Sequence, residues 1–294
     1  MQRALYSKSL AEQVLSFNKL GYVLIRQAPG TVGKESVDLA NAKSYILSHL
    51  AEQQDNWKYK VWRMFNKVAT AESRHSLVLP YNKIVEEVLT TTIGSIRPFL
   101  DSQLSKDASL VELNSLISLP GSSEQDVHAD IPYSEQNLLI SGYIALSDVN
   151  LVDGPTCLHG GSHTQSFHRR IPTQSIDTFY SSDGSTDESY EKPVHVETDE
   201  DKQAVDLALA APVCYAQLKA GDILLFNTLV FHYGSANVSK LPRALLSFSF
   251  QRNSDSGEML PINGFTYHCH DSVVGKYTLD HFPDTSGKRV SATL

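Results

Sequence analysis

Three side chains in this sequence have the types and the spacing to bind a metal ion. His128 and Asp130 are separated by one residue, and His232 follows far downstream. Two imidazoles and one carboxylate form the facial triad that binds one face of a non-haem Fe(II) and leaves the opposite face open. Because residues i and i+2 of a strand point to the same side, a strand over 125–131 would aim His128 and Asp130 into one cavity. The fold must then bring His232 to that cavity.

Arg243 lies close behind the distal histidine in the sequence. His232 follows the apolar segment 224–231, and Arg243 opens the next predicted strand. Two antiparallel strands joined by a short turn would place His232 and Arg243 at related depths in one barrel.

Two other interpretations of these residues remain open on spacing alone. An isolated His-x-Asp occurs by chance in many proteins, and His128 would then be a core histidine with Asp130 as a turn cap. A zinc site with two histidines and one aspartate is chemically possible, because zinc binds the same donors. Zinc hydrolases, however, have no need for the downstream arginine.

The elements that must position these residues are helices first and strands afterwards. Apolar positions at helical spacing predict helices over 7–20, 35–54 and 81–104. Short apolar segments, many separated by Gly or Pro, predict strands over 22–25, 110–119, 125–131, 137–147, 155–158, 213–217, 222–227, 230–234 and 243–252. This order indicates a β core with helices packed on one outer face.

Two segments stand apart from this pattern. Residues 57–65 predict a strand with Lys58 and Lys60 on one face and Arg63 on the other, and a solvated face is the simplest role for these cations. Residues 181–203 are acidic, rich in Ser and nearly free of aliphatic side chains, which predicts a mobile loop. Such a loop is either an active-site lid or a solvated insertion.

Composition excludes several classes of protein. The chain has 294 residues, is 41% hydrophobic and carries a net charge of -8, which argues against a nucleic-acid partner and an anionic membrane partner. Cys157, Cys214 and Cys269 form no metal pair and no disulfide framework, which favours a reducing compartment. We therefore expect a soluble, cytoplasmic protein, although a targeting peptide could have been removed upstream.

Several short motifs together resemble a known family. They are Gly21-Tyr22-Val23, Gln125-x-x-His128-x-Asp130, Asp153-Gly154-Pro155 leading to Gly161-Ser162-His163, and His232 followed by Asn237, Ser239 and Arg243. From about Gly21 to Gln251 the chain resembles the phytanoyl-CoA dioxygenase-like branch of Fe(II)/2-oxoglutarate-dependent oxygenases. The resemblance implies a mostly β fold with flanking helices, built on a double-stranded β-helix, a jelly-roll core related to the cupins. One departure is Gly160, where the family usually has Pro, which affects only the shape of that turn.

The resemblance also implies roles for individual residues. His128, Asp130 and His232 would bind iron, and Arg243 would pair with the distal carboxylate of 2-oxoglutarate, which suits a guanidinium fork. Gln125 resembles the family glutamine that bonds the cosubstrate near the metal, and Thr156 is a weaker candidate for the same shell.

The chemistry implied is hydrogen abstraction from a small molecule at the cost of 2-oxoglutarate and O2, which gives succinate and CO2 as coproducts. Hydroxylation, desaturation and oxidative cyclisation are all compatible with it, because the outcome depends on fine positioning. Asp130 argues against halogenation, because related halogenases have a small residue there. The helical N-terminal half and compact C-terminus are similar to natural-product tailoring enzymes, including kainoid-type cyclases.

We expect one domain over 1–294, with helical support and outer strands over 1–105 and the jelly-roll core over 106–252. The lid insertion would cover about 171–212, and 253–294 would be a C-terminal extension. The alternative function is a cupin-like module that binds metal or 2-oxoglutarate without turnover.

The remaining histidines are given structural roles. His163 is predicted to pack in a turn and His159 and His168 to lie in an exposed loop, with a second metal site there disfavoured. His268 and His270 would belong to a structural tail.

Overall fold

A computed structural model of the chain describes residues 2–3, 6, 9–26, 38–53, 73–131, 133, 138–170, 213–254, 270, 272–273 and 275–286. Several sequence predictions fall outside these ranges: the strand over 57–65 with its three cations, the acidic segment 181–203, the lid insertion 171–212, and His268 with Cys269.

The helices of the described ranges are α1 (Leu10–Leu20), α2 (Leu39–Gln53), α3 (Lys83–Gln103), α4 (Gln165–Arg170) and a short 3-10 helix (Leu279–His281). The first three lie within the predicted segments. A capping box between Ser9 and Glu12 begins α1, and Gly21, with φ of 78°, ends it in the left-handed conformation that glycine adopts at low cost. No helix in these ranges has the length and apolar character needed to cross a bilayer.

The described strands are β1 (Gln2–Arg3), β2 (Tyr22–Ile25), β3 (Arg74–Val78), β4 (Ser109–Ser118), β5 (Leu139–Ala145), β6 (Thr156–His159), β7 (Val213–Tyr215), β8 (Ile223–Asn227), β9 (His232–Gly234) and β10 (Arg243–Gln251). They form two sheets. The larger has the order β2-β8-β5-β10-β4-β3, and the smaller has the order β1-β7-β6-β9. From β4 onward the chain passes back and forth between the sheets, as in the expected double-stranded β-helix.

The segment 125–131 joins the smaller sheet beside β9, but not as a regular strand. Its backbone N–H groups at Gln125, His128 and Asp130 donate to the carbonyls of Gly234, His232 and Thr228, and His232 N donates back to His128 O. The steps between these pairs are unequal on the two sides, so only His128 and His232 form a bridge. The predicted strand is therefore an irregular edge held by a few bonds.

The two faces of the larger sheet have different neighbours, as β10 shows. Ala244, Leu246, Phe248 and Phe250 pack into a core with residues of α1, α2 and α3. Alternate residues of β10 point the other way, and Leu245 joins a second core with Leu158 of the smaller sheet and with Val230, which lies between β8 and β9. The helices thus cover one outer face, as predicted, and the space between the sheets is left for a site.

Substitution of Gly142 tests how tightly the helix-covered face of the larger sheet is packed. It lies opposite Phe248 in the β5–β10 pair, and a Cβ at Gly142 would lie 2.2 Å from Phe248 Cζ. We expect Gly142→Ala to lower the free energy of unfolding by about 1–3 kcal/mol, because the buried ring has little room to move. Urea unfolding of Gly160→Ala is the control, since its Cβ would lie 3.2 Å from Leu20 Cδ2 and 3.4 Å from Tyr22 Cε1, close to ordinary contact distances. Equal stability of the two variants would contradict this account of the packing.

Candidate metal and cosubstrate site

The structure brings His128, Asp130 and His232 together between the sheets. One ligand atom from each lies within 4.8 Å of the other two. Asp130 Oδ1 is 3.9 Å from His128 Nε2 and 3.6 Å from His232 Nε2. Two atoms that bind one metal at about 2.1 Å each can be separated by at most about 4.2 Å, so both pairs allow a shared ion.

Backbone carbonyls orient both imidazoles. His128 Nδ1 lies 2.8 Å from Asp126 O, and His232 Nδ1 lies 2.9 Å from Val230 O. In the tautomer where Nδ1 donates to these carbonyls, each Nε2 keeps its lone pair for a metal. Burial lowers the pKa of His232 to about 4, and burial together with the nearby His232 lowers the pKa of His128. Both rings are therefore neutral near pH 7, the form that binds metals.

Arg243 begins β10 and faces the same space, in register with Ser118 of β4 and, through it, with Arg74 of β3. Its side chain is buried, and its Nε has no hydrogen-bond partner. Burial and the nearby Arg74 lower its pKa to about 10, so it keeps its charge at neutral pH. A buried guanidinium with an unpaired N–H group is stabilised strongly by an anion, and the carboxylate of 2-oxoglutarate is an anion of suitable shape.

Gln125 and Thr156 lie on the two segments that flank Gly234 of β9, which are the segment 125–131 and strand β6. Gln125 Oε1 accepts a hydrogen bond of 2.8 Å from Gly234 N. Thr156 opens β6, is buried and is in register with Gly234. Gln125 thus has a clear structural contact, while the part of either residue in binding the cosubstrate stays a prediction.

Comparisons with known proteins agree with this geometry. Residues 17–245 match the family model described as Phytanoyl-CoA dioxygenase (PhyH). The chain belongs to the phytanoyl-CoA dioxygenase family. It is accordingly a non-haem Fe(II)/2-oxoglutarate-dependent enzyme that uses O2. No curated protein sequence matches it significantly.

Solved structures show the same fold at low identity. The epimerase SnoN from nogalamycin biosynthesis, in complex with Fe3+, alpha ketoglutarate and nogalamycin RO, is 16% identical, with a TM-score of 0.53 over 88% of this chain and 92% of SnoN. The alpha ketoglutarate dependent carbocyclase SnoK is 15% identical, with a TM-score of 0.51 over 82% of this chain and 83% of SnoK. These likenesses show that the chain has the same fold as these two solved structures.

Arg74 is a site residue that the sequence analysis missed. Its Nε donates to Ser123 O at 2.8 Å, and its Nη2 donates to Gly234 O at 3.1 Å and to Ser235 O. It therefore ties the segment before His128 to the segment after His232. Its strand, Arg74–Val78, was not predicted, because polar residues at its start hide the two-residue alternation.

The second histidine cluster is buried and not exposed. His159 is the last residue of β6, and His168 lies in α4, with Nε2 2.8 Å from Leu229 O and its ring against Phe231. The prediction of an exposed loop was wrong for both, since a strand end and a short helix pack them against the smaller sheet. Within the described part of the chain, the triad is the only group of three or more such side chains placed to share a metal.

We expect Arg74→Lys to lower metal affinity about tenfold, a typical effect of losing a group that orients metal ligands. A lysine cannot donate to three carbonyls in the planar arrangement of a guanidinium. Calorimetric titration with Ni(II) measures this.

The matched control for Arg74 is Arg97→Lys. Arg97 is also buried and donates to Leu279 O and Phe282 O, far from the triad in the fold. It should alter stability without altering metal affinity. Equal losses of metal affinity in the two variants would contradict the role assigned to Arg74 in orienting the metal ligands.

The buried side chain of His159 is expected to make the stability of the protein depend on pH. Burial lowers its pKa below the usual 6.5, and neither ring nitrogen has a hydrogen-bond partner. Below about pH 6.5 the unfolded chain therefore binds a proton that the folded chain resists, so stability falls as the pH falls. In metal-free protein, His159→Leu should flatten this decline between about pH 6.5 and 5, as seen in thermal unfolding. An unchanged slope would contradict the prediction.

Proposed function

We propose that this enzyme uses iron and 2-oxoglutarate to remove hydrogen from a small-molecule metabolite, with hydroxylation, desaturation or oxidative cyclisation as the outcome. The observation that carries the proposal is the convergence of His128, Asp130 and His232 in one cavity that also contains the buried cation of Arg243.

In this proposal His128 Nε2, His232 Nε2 and an Asp130 oxygen hold the iron. When bound, iron with 2-oxoglutarate and O2 supplies the oxidising power, with succinate and CO2 as coproducts. Arg243 fixes the distal carboxylate of the cosubstrate, and Gln125 and Thr156 border its metal end.

Asp130 favours oxygenation or desaturation over halogenation, because its carboxylate takes the position that a halide would need. A zinc hydrolase is the less favoured alternative. The same donors bind zinc, but hydrolysis does not require Arg243. A module that binds without turnover is the other alternative.

The proposed substrate class is a natural product or a related metabolite. The likeness to the epimerase SnoN and the carbocyclase SnoK, both from nogalamycin biosynthesis, supports it as analogy in fold. We further propose that the whole chain forms a single domain around this site, with no nucleic-acid or membrane partner. A reducing, cytoplasmic location agrees with the free thiols of Cys157 and Cys214.

Substitution of the triad tests the proposal. His128→Ala and Asp130→Ala should each abolish Fe(II)-dependent succinate release, because two ligands hold iron poorly. Arg243→Gln should raise the KM for 2-oxoglutarate at least about tenfold through loss of a charge-assisted pair. Asp148→Asn is the control, since that carboxylate is on the surface and bonds Lys219.

Three outcomes would contradict the proposal. Succinate release that survives Asp130→Ala would remove the triad from the chemistry. Turnover without O2 would favour a hydrolase. Binding of 2-oxoglutarate without succinate, across a broad panel of substrates, would favour the binding module.

A further inference from the structure

The paired segments that carry the metal ligands have two ends. At one end Gln125 N donates to Gly234 O, and the turn after β9 leads to Arg243. At the other end Asp130 N donates to Thr228 O. In the proposed function the cosubstrate lies between the metal and Arg243, so the primary substrate would reach the metal from the Asp130 end.

Four aromatic rings contact one another at the Asp130 end. The Tyr133 ring lies 5.3 Å from the His168 ring, which lies 5.1 Å from the Phe231 ring. The Phe167 ring lies 5.5 Å from the Phe231 ring. Tyr133 follows the aspartate ligand by three residues, and Phe231 directly precedes the distal histidine ligand. These four residues, the aromatic cluster, therefore connect the two segments that carry the metal ligands.

Hydrogen bonds fix the middle of the aromatic cluster. His168 is buried, and its Nε2 lies 2.8 Å from Leu229 O, to which it donates in the matching tautomer. Burial lowers the pKa of His168, although the bond to Leu229 opposes the shift, so the ring is neutral near pH 7. Phe231 N donates to Ser162 Oγ at 2.8 Å, and Phe231 O accepts from His159 N. The rings are therefore held in a preorganised arrangement.

The outer members of the cluster keep part of their rings at the surface. Tyr133, Phe167 and Phe231 are half-buried, while Ile131 and Leu229 beside them are buried in a small core that Tyr133 packs against. Ligand sites in enzymes are lined mostly by apolar and aromatic side chains of this kind. The cluster thus combines a fixed position with accessible aromatic surface.

A contact with a purely structural role in the same chain looks different. Phe248 and Phe250 lie in the helix-covered core with their rings 6.0 Å apart, and both side chains are fully buried. Aromatic rings that only fill a core lose all contact with solvent in this way. The partial exposure of three neighbouring rings beside the metal ligands favours a binding role.

We propose that the aromatic cluster binds a planar, unsaturated ring of the primary substrate, with Phe231 and Tyr133 as the residues that contact it. This inference rests on the proposed function, because it assigns the substrate side of the same site. Stacked or edge-to-face aromatic pairs are more stable than their buried area alone would give. Because two of the rings belong to the ligand segments, a substrate ring bound there is held at a fixed distance from the metal.

The test compares 2-naphthol with 2-decalol, which share a carbon skeleton but differ in that only the first is aromatic and planar. Calorimetric titration into protein loaded with Ni(II) and 2-oxoglutarate measures both Kd values without turnover. We expect 2-naphthol to bind about 2–10-fold more tightly, the gain typical of an aromatic pair. Phe231→Leu and Tyr133→Leu should each weaken 2-naphthol by a similar factor and change the Kd of 2-decalol much less.

Two further variants keep the test decisive. Phe167→Leu should weaken 2-naphthol by a smaller factor, and it serves if the other variants do not fold. Tyr45→Leu is the matched control, since Tyr45 is also half-buried and stacks on His49 at 5.8 Å, but it packs against the helix-covered core. It should leave both Kd values unchanged. The Ni(II) affinity of each variant is measured first, so that loss of metal is not mistaken for loss of ring binding.

The results separate the two proposals. If the wild-type protein neither binds 2-oxoglutarate nor releases succinate, the proposed function fails. If it does both, but binds neither compound or binds the two equally tightly, the assignment of the aromatic cluster is overturned. A loss of 2-naphthol affinity that is the same in Tyr45→Leu as in Phe231→Leu overturns it as well.

Discussion

The site depends on one short contact between backbones that are far apart in sequence. His128 and His232 exchange two hydrogen bonds, with N–O distances of 3.0 and 2.8 Å, and their rings lie 4.6 Å apart. The pairing on either side of this bridge is irregular, so regular sheet geometry does not hold the ligands in place. Other groups must therefore fix the two segments, since metal ligands tolerate little displacement.

Arg74, Gln125 and Gly234 supply that restraint. Arg74 donates to carbonyls of both segments, and Gln125 Oε1 accepts from Gly234 N. A Cβ at Gly234 would lie 2.6 Å from Arg74 Nη1 and 2.6 Å from Gln125 Oε1, so this close approach requires glycine. The restraint carries a cost, because Arg74 is a second buried cation beside Arg243 and lowers its pKa. An anionic cosubstrate would offset the repulsion between them.

The sequence predicted the parts of this arrangement that depend on local pattern. Spacing of two residues identified His128 and Asp130 as a pair, and the motifs around His232 and Arg243 identified the fold that unites them. The helices were found because their apolar positions repeat with a helical period, as the buried residues Val85, Val88 and Leu89 of α3 do.

What the sequence could not reveal were contacts made across strands. Arg74 and Arg243 become neighbours only through the register of both strands with Ser118, and Ser249 of β10 reaches Glu112 of β4 in the same way. His159 was misplaced for a related reason: a histidine before two glycines resembles a loop residue, but it ends a buried strand. Registers of this kind follow from long-range pairing, which one sequence does not encode locally.

The arrangement of the triad and Arg243 bears on how one fold serves different reactions. In the proposed function these four residues would set the position of the oxidising group, and they would be the same for hydroxylation, desaturation or ring closure. The outcome depends on where the substrate carbon is held relative to that group, because displacements of less than about 1 Å can change it. The choice among these outcomes would therefore depend on side chains other than these four, on the surfaces that border the space between the sheets.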